Sequence, residues 1–337
     1  MIPGPYLLYL GEAKDPLSVK TARGVAQWCP QTCVGQRRLP ACDIDLGLPD
    51  IEVSEAVAAG AKTMIIGDAN AGGVLRESAH AEIIAALEAG LHVASGLHQR
   101  LKDVAIIKET ADRLGRSLFD VREPPTDLHV GTGAKRNGSR LLTVGSDCAV
   151  GKMYTSLALE RAMRARGLVA DFRATGQTGI LIAGGGIAID AVIADFISGA
   201  AEQLTPARDD GGWDIIEGQG SLFHPSFAGV SLGLLHGAQP QALVLCHEAG
   251  RPHMRGLPGK ELPDLAECLE ANLAAARLTS PAVRAVGVSV NTSRLAPEER
   301  RAFCDAIADK LGIPCQDPLV DGVDAIVDNL VACFEPA

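Results

Sequence analysis

The chain has 337 residues, a net charge of −10, 47% hydrophobic residues, 21% charged residues and only 4% aromatic residues. That composition excludes a disordered chain, and the length suggests two domains at ~150 residues each. The acidic total leaves nucleic acid without a basic landing face. It does not exclude an anionic small molecule, because glycine-rich loops bind phosphate through backbone N–H groups.

No apolar run reaches the ~18 residues of a membrane span, and the N-terminus Met1–Pro5 carries no basic region. A cytoplasmic protein with no membrane partner is expected. The nine cysteines form no CxxC pair and are read as reduced thiols, mostly filling the core.

In the first half, Tyr6–Leu10 reads as a short apolar strand and Pro16–Trp28 as a helix stopped before Pro30. Thr63–Ile66 is a buried strand running into the polar loop Asp68–Gly73, which contains Asn70. A helix over Ser78–Ala89 follows, with Ile83, Ile84 and Leu87 on one face. Leu91–Ala94 is another strand, leading to Ser95, Gly96, His98 and Arg100. This strand–loop–helix order implies a parallel sheet with ligand loops at the carboxyl ends of its strands. Residues 1–122 are read as this N-terminal, Rossmann-like domain. Residues 123–139, with two prolines and three glycines, are read as a linker, leaving 140–337 as the second domain.

The second half begins with a strand at Arg140–Val144, a glycine-rich turn and a helix stopped by Gly167 with Tyr154, Leu157, Ala158, Ala162 and Ala165 at helical spacing. Further strands are expected at Val169–Arg173, Asp214–Ile216, Ala242–Cys246 and Val283–Val290. Helices are expected at Asp190–Gln203, Pro263–Arg277, Pro297–Leu311 and Val323–Cys333. Asp190 is placed as a cap, and Pro297 with Glu298 and Glu299 makes a good helix start.

The strongest chemical signal is the run Gly145, Ser146, Asp147, Cys148, Ala149, Val150, Gly151, Lys152. A strand, a glycine turn and a Gly-Lys pair opening a helix make a phosphate cradle. The wording resembles the loop of dethiobiotin synthetase and its relatives, so the second domain is read as P-loop NTPase-like. Met153 stands where nucleotide hydrolases carry the Ser or Thr that holds magnesium. That argues against ATP–magnesium chemistry and leaves diphosphate binding, as in coenzyme A, open. Cys148 is read as a packing residue within the loop.

Other candidates follow strands. Arg173 is a candidate carboxylate clamp, with Gln177 and Thr178 in the loop after it. Glu217 ends a strand and His224 lies in the same loop, while His247 follows another strand; all three are candidate bases. Arg100 and Arg251 are further candidates for a substrate carboxylate. His224, His236 and His247 make no helical i, i+4 pair, so no metal site is expected.

Several long runs now resemble one family. They are Leu10–Gly11 with Asp15–Pro16, Ala69–Gly73 and Ala94–His98 in the first half, and Val144–Lys152, Ala174–Gly179 and Ile216–Pro225 in the second. They are similar to the two-domain phosphate-loop family that includes D-glutamate N-acetyltransferase. The resemblance implies acetyl-CoA as cosubstrate and a D-amino acid, D-glutamate first, as acceptor in D-amino-acid catabolism. A homodimer is the default assembly. The rival readings are an ATP-dependent ligase or kinase of the dethiobiotin synthetase type and a nucleotide-responsive binding module.

Overall fold

The computed structural model describes residues 1–16, 18–68 and 73–334. They form two compact units, one of Met1–Pro124 with Gly176–Ala188, the other of Pro125–Thr175 with Ile189–Ala337. Among the described residues no helix is long and apolar enough to cross a membrane.

The first unit runs β1 (Tyr6–Gly11), α1 (Lys20–Trp28), β2 (Cys33–Arg38), α2 (Val53–Ala58), β3 (Thr63–Ile66), α3 (Glu77–Glu88), β4 (His92–Ser95), α4 (Ala105–Leu114) and β5 (Leu118–Asp120). The strands are all parallel in the order β2-β1-β3-β4-β5. A parallel sheet covered on both faces needs apolar residues at successive positions, which is why Tyr6–Leu10 and Thr63–Ile66 are continuous apolar runs. Alternation then divides them. Leu7, Tyr9, Met64 and Ile66 pack with Ile83 and Leu87 on one face. Leu8, Leu10 and Ile65 pack with Ala22, Val25 and Leu181 on the other.

Leu181 belongs to a helix over Gln177–Ala183 that packs in this first unit. Thr178 Oγ1 lies 3.4 Å from Thr21 Oγ1. A Cβ on Gly96 would stand 2.9 Å from Gln177 Oε1, so glycine lets that side chain approach the backbone. The helix expected from Pro16 begins at Lys20. On α3 the buried face is Ala79, Ile83, Ala86 and Leu87, with Ile84 at its margin.

In the second unit come β6 (Ser139–Gly145), α5 (Lys152–Ala165) and β7 (Ala170–Arg173); the Gln177–Ala183 helix of the first unit counts as α6. Then follow α7 (Ile197–Leu204), β8 (Trp213–Ile216), α8 (Ala228–Ala238), β9 (Ala242–Glu248), α9 (Leu265–Arg277), β10 (Arg284–Asn291), α10 (Pro297–Leu311), β11 (Cys315–Gln316) and α11 (Asp324–Phe334). The sheet is parallel, ordered β11-β10-β9-β6-β8-β7, with β6 between β8 and β9.

Two expectations change here. The helix placed at Asp190–Gln203 is broken: 3-10 turns at Ile189–Ala191 and Ala194–Phe196 precede α7. Ile193 between them is extended at φ −60°, ψ 138°, and the β-branched pair Val192–Ile193 favours that break. Asp190 therefore sits in a 3-10 turn and does not cap α7. On α5 the buried set includes Thr155, Ser156, Leu159 and Met163, besides Leu157 and Ala158. The hydroxyls are satisfied inside: Thr155 Oγ1 lies 2.7 Å from Ser289 Oγ, and Ser156 Oγ 3.1 Å from Thr143 Oγ1. Within the stretch 123–139, Glu202 of α7 accepts hydrogen bonds from the Thr132 and Gly133 amides at 2.9 and 2.8 Å.

Candidate active site

The phosphate-cradle residues lie where β6 ends and α5 begins. Gly151 takes φ 101° at the helix start, a conformation natural to glycine, while Ala149 takes φ 51°, which is uncommon for a residue with a Cβ. No side chain caps α5. The amides of its first turn have no intrahelical acceptors and carry the positive end of the helix dipole. Lys152 is buried in the first turn, and its ammonium donates to the Asp147 carbonyl at 2.8 Å. Burial pushes its pKa down.

The loop is held from outside by one arginine. Arg251 Nη1 donates to Asp147 Oδ2 at 2.5 Å and to the Cys148 carbonyl at 2.7 Å, and Nη2 donates to the Ala149 carbonyl at 2.9 Å. The other side of the guanidinium pairs with Glu248, Nε to Oε2 at 2.8 Å, and Arg294 donates to Glu248 Oε1 at 2.5 Å. Asp147 is itself fully buried. Its Oδ1 accepts from the Cys148 amide at 2.7 Å and its Oδ2 from the Arg255 amide at 2.8 Å. Charge-assisted bonds of this kind are about twice as strong as neutral ones, and here they fix the loop's shape. Arg251, expected at a substrate carboxylate, is thus engaged with the loop. Arg255 and Glu248 join it there; Arg255 carried no sequence signal, because its partner Asp147 lies 108 residues away.

Register places His247 beside the loop, since Gly145 pairs with Cys246 across β6 and β9. Its Nδ1 lies 2.9 Å from Ser146 Oγ, and its ring stacks on Phe303 at 6.4 Å. Burial, then the Arg251 charge, push its pKa down to about 4, against an opposing effect of Glu248. The imidazole is therefore neutral near pH 7. His224 is nearly fully buried with both ring nitrogens engaged. The Ser226 amide donates to Nδ1 at 3.2 Å, which assigns the proton to Nε2, and Nε2 donates to the Arg255 carbonyl at 3.0 Å. Glu217 is buried at the end of β8, where its Oε2 accepts from the Thr175 amide at 2.9 Å. Next to it, a Cβ on Gly218 would fall 1.7 Å from the Thr143 carbonyl.

Asp147, Cys148 and His224 each bring one possible ligand atom within 4.8 Å of the others. The donor set suits a cation poorly: Arg251 already neutralises Asp147, and both nitrogens of His224 are in use. Met153 follows Lys152, and the Thr155 hydroxyl is committed to the Gly151 carbonyl and Ser289.

Arg173 turns to Asp214, Nε to Oδ1 at 2.8 Å, in a network with Arg208. Gln177 and Thr178 lie on α6, which belongs to the first unit. Arg100 pairs with Asp103 at 2.7 Å and Glu123 at 3.4 Å on the surface of that unit. Asn70 lies outside the described residues.

Comparison with known proteins agrees with this geometry. Residues 31–124 match a family model described as the DUF1611_N Rossmann-like domain, and residues 129–327 match one described as the DUF1611_C P-loop domain, both domains of unknown function. A protein of Pseudoalteromonas sp. named D-glutamate N-acetyltransferase is 52% identical over 98% of this chain and 99% of its own. One of Tritonibacter scottomollicae with the same name is 49% identical over 98% of this chain and 100% of its own. The crystal structure of a DUF1611 family protein from Anabaena variabilis superposes with a TM-score of 0.85 at 31% identity, covering 97% of this chain and 99% of that one. With a phosphate loop in a parallel sheet, a second parallel α/β unit and full-length relatives of this kind, the chain belongs to the DUF1611 family.

Proposed function

We propose that the chain is an N-acetyltransferase that moves the acetyl group of acetyl-CoA to the amino group of D-glutamate. The observation that carries this reading is the identity of about half over essentially the whole chain to two proteins named for that activity. The phosphate loop supports the donor. The coenzyme A diphosphate is assigned to the first-turn amides of α5 and to Lys152, which exchanges the Asp147 carbonyl for phosphate oxygen. Met153 and the commitment of Thr155 favour diphosphate binding without magnesium.

In the reaction a base takes a proton from the substrate ammonium. The amine then attacks the thioester carbonyl, the C–N bond forms, the C–S bond breaks, and the second proton shed by the nitrogen goes to the departing thiolate. His247 is the proposed proton acceptor, neutral at working pH and held by Ser146 and Phe303. His224 is assigned a structural part, since both its nitrogens are spoken for.

The test is an amino-acid panel with acetyl-CoA and a thiol reagent. Thiol release is expected with D-glutamate; release with none of the panel overturns the reading. Lys152→Ala is expected to raise KM for acetyl-CoA about ten- to a hundredfold, the worth of one charge-assisted bond, with KM for D-glutamate little changed. An unchanged KM for acetyl-CoA removes Lys152 from the donor site.

A further inference from the structure

The chain between β9 and α9, residues 249–264, is a long connection with no helix or strand of its own, and such loops are usually functional. Its middle is fixed. Met254 is buried, its amide donates to the Lys260 carbonyl at 2.8 Å, and its carbonyl accepts from the Leu257 amide at 3.0 Å. Arg255 follows, and its main chain ties it to the candidate site. Its amide donates to Asp147 Oδ2 at 2.8 Å, and its carbonyl accepts from His224 Nε2 at 3.0 Å. The side chain is exposed, and among the described residues its guanidinium makes no hydrogen bond or ion pair. Its charge nevertheless reaches the phosphate loop. Burial pushes the Cys148 thiol pKa up and Asp147 adds to the rise, while Lys152, Arg255 and Arg251 oppose it.

The charges around the loop sort into pairs and a remainder. Asp147 and Glu248 are paired with Arg251 and Arg294. Lys152, which donates to a carbonyl, and Arg255 remain as cations without a carboxylate partner among the described residues. The diphosphate bridge of coenzyme A carries one negative charge on each phosphorus, so these two cations balance it without a metal. The triphosphate of ATP carries more negative charge than they balance. Arginine suits the task, because its planar guanidinium can give two parallel N–H groups to a phosphate.

We propose that Arg255 binds the diphosphate of the donor as the second counter-charge beside Lys152, taking the part that magnesium plays at other phosphate loops. The inference rests on the proposed function for the identity of the donor and adds a residue to its binding site.

The experiment is calorimetric titration of the full chain with coenzyme A and with 3′-dephospho-coenzyme A, which keeps the diphosphate. Arg255→Ala removes the guanidinium and leaves the main-chain bonds to Asp147 and His224 in place. It is expected to weaken both ligands alike, by about ten- to a hundredfold, with Arg255→Lys in between. Unchanged affinity for coenzyme A in Arg255→Ala overturns the proposal. So does a loss seen with coenzyme A alone, which would move Arg255 to the 3′-phosphate. A lowered melting temperature with both affinities intact marks a structural part and also overturns it. If Arg255→Ala does not fold, Arg255→Gln gives the same comparison. Acetyl transfer separates the two claims. A chain that binds coenzyme A through Arg255 but acetylates no amino acid keeps this site and fails the proposed function. Transfer to D-glutamate with affinity unchanged in Arg255→Ala fails this site alone. A wild-type chain that binds neither ligand overturns both.

Discussion

At the scale of single residues, the site is governed by what burial does to charge. Lys152 and His247 both have pKa values pushed down by desolvation, but with different results. Lys152 gains from the arrival of an anion, which replaces the solvation it has lost. His247 stays neutral at working pH. It also makes stability depend on pH. Its folded value of about 4 lies below the ordinary 6.5, so below 6.5 the unfolded chain binds the proton first. The contribution is fully present above pH 6.5 and is lost as pH falls toward 4. Urea unfolding at about pH 7 and about pH 4.5 should show this, and His247→Asn should flatten the difference between the two. The same substitution should lower kcat by about a hundredfold if His247 is the base.

At the scale of elements, close approach decides more than propensity does. Gly218 after β8 would place a Cβ 1.7 Å from the Thr143 carbonyl, which is backbone and cannot turn aside. Gly218→Ala is expected to cost on the order of 3 kcal/mol or to prevent folding, whereas Gly185→Ala, with nothing within 4 Å, should stay within about 0.5 kcal/mol. Thermal melts of the two variants check this. The same physics explains what could be read from the sequence. Long apolar strands such as Tyr6–Leu10, and the loop from Gly145 to Lys152, announce themselves because their pattern is local. Helix α8 is hidden by Gly229, Gly233 and Gly237. Two of these mark contact with α7: Cβ atoms on Gly233 and Gly237 would meet Ile197 at 2.6 Å and the Ser198 carbonyl at 2.2 Å. Strand β2 is hidden by the polar run Gln36, Arg37 and Arg38, which pairs with Asp45, Glu82 and Asp50. At the candidate site, the loop follows from its place after β6, and His247 from its place near the end of β9. The engagement of Arg251 with Asp147 and of Arg173 with Asp214 follows only from tertiary packing.

At the scale of the whole molecule, the acidic balance is compatible with an anionic donor because the attraction is local, arising from a helix start and one lysine. The stretch joining the two halves of the sequence is also locally held. Glu202 gathers the Thr132 and Gly133 amides, and a Cβ on Gly199 would stand 1.8 Å from the His129 carbonyl. Glu202→Ala should release this stretch and speed tryptic cleavage at the exposed Lys135, read by mass spectrometry; an unchanged rate would show that Glu202 does not hold it. The placement of Gly176–Ala188 in the first unit has a consequence for the newborn chain. A ribosome delivers residues from the N-terminus onward, so the first unit reaches Pro124 without the helix that brings Leu181 to its core. It must wait, on the order of seconds, for residue 188 to emerge. By then the phosphate loop has already been made. Folding of the early half is thereby tied to synthesis of the later half, and a ribosome stalled between the two would leave the Ala22–Val25 surface without Leu181 against it.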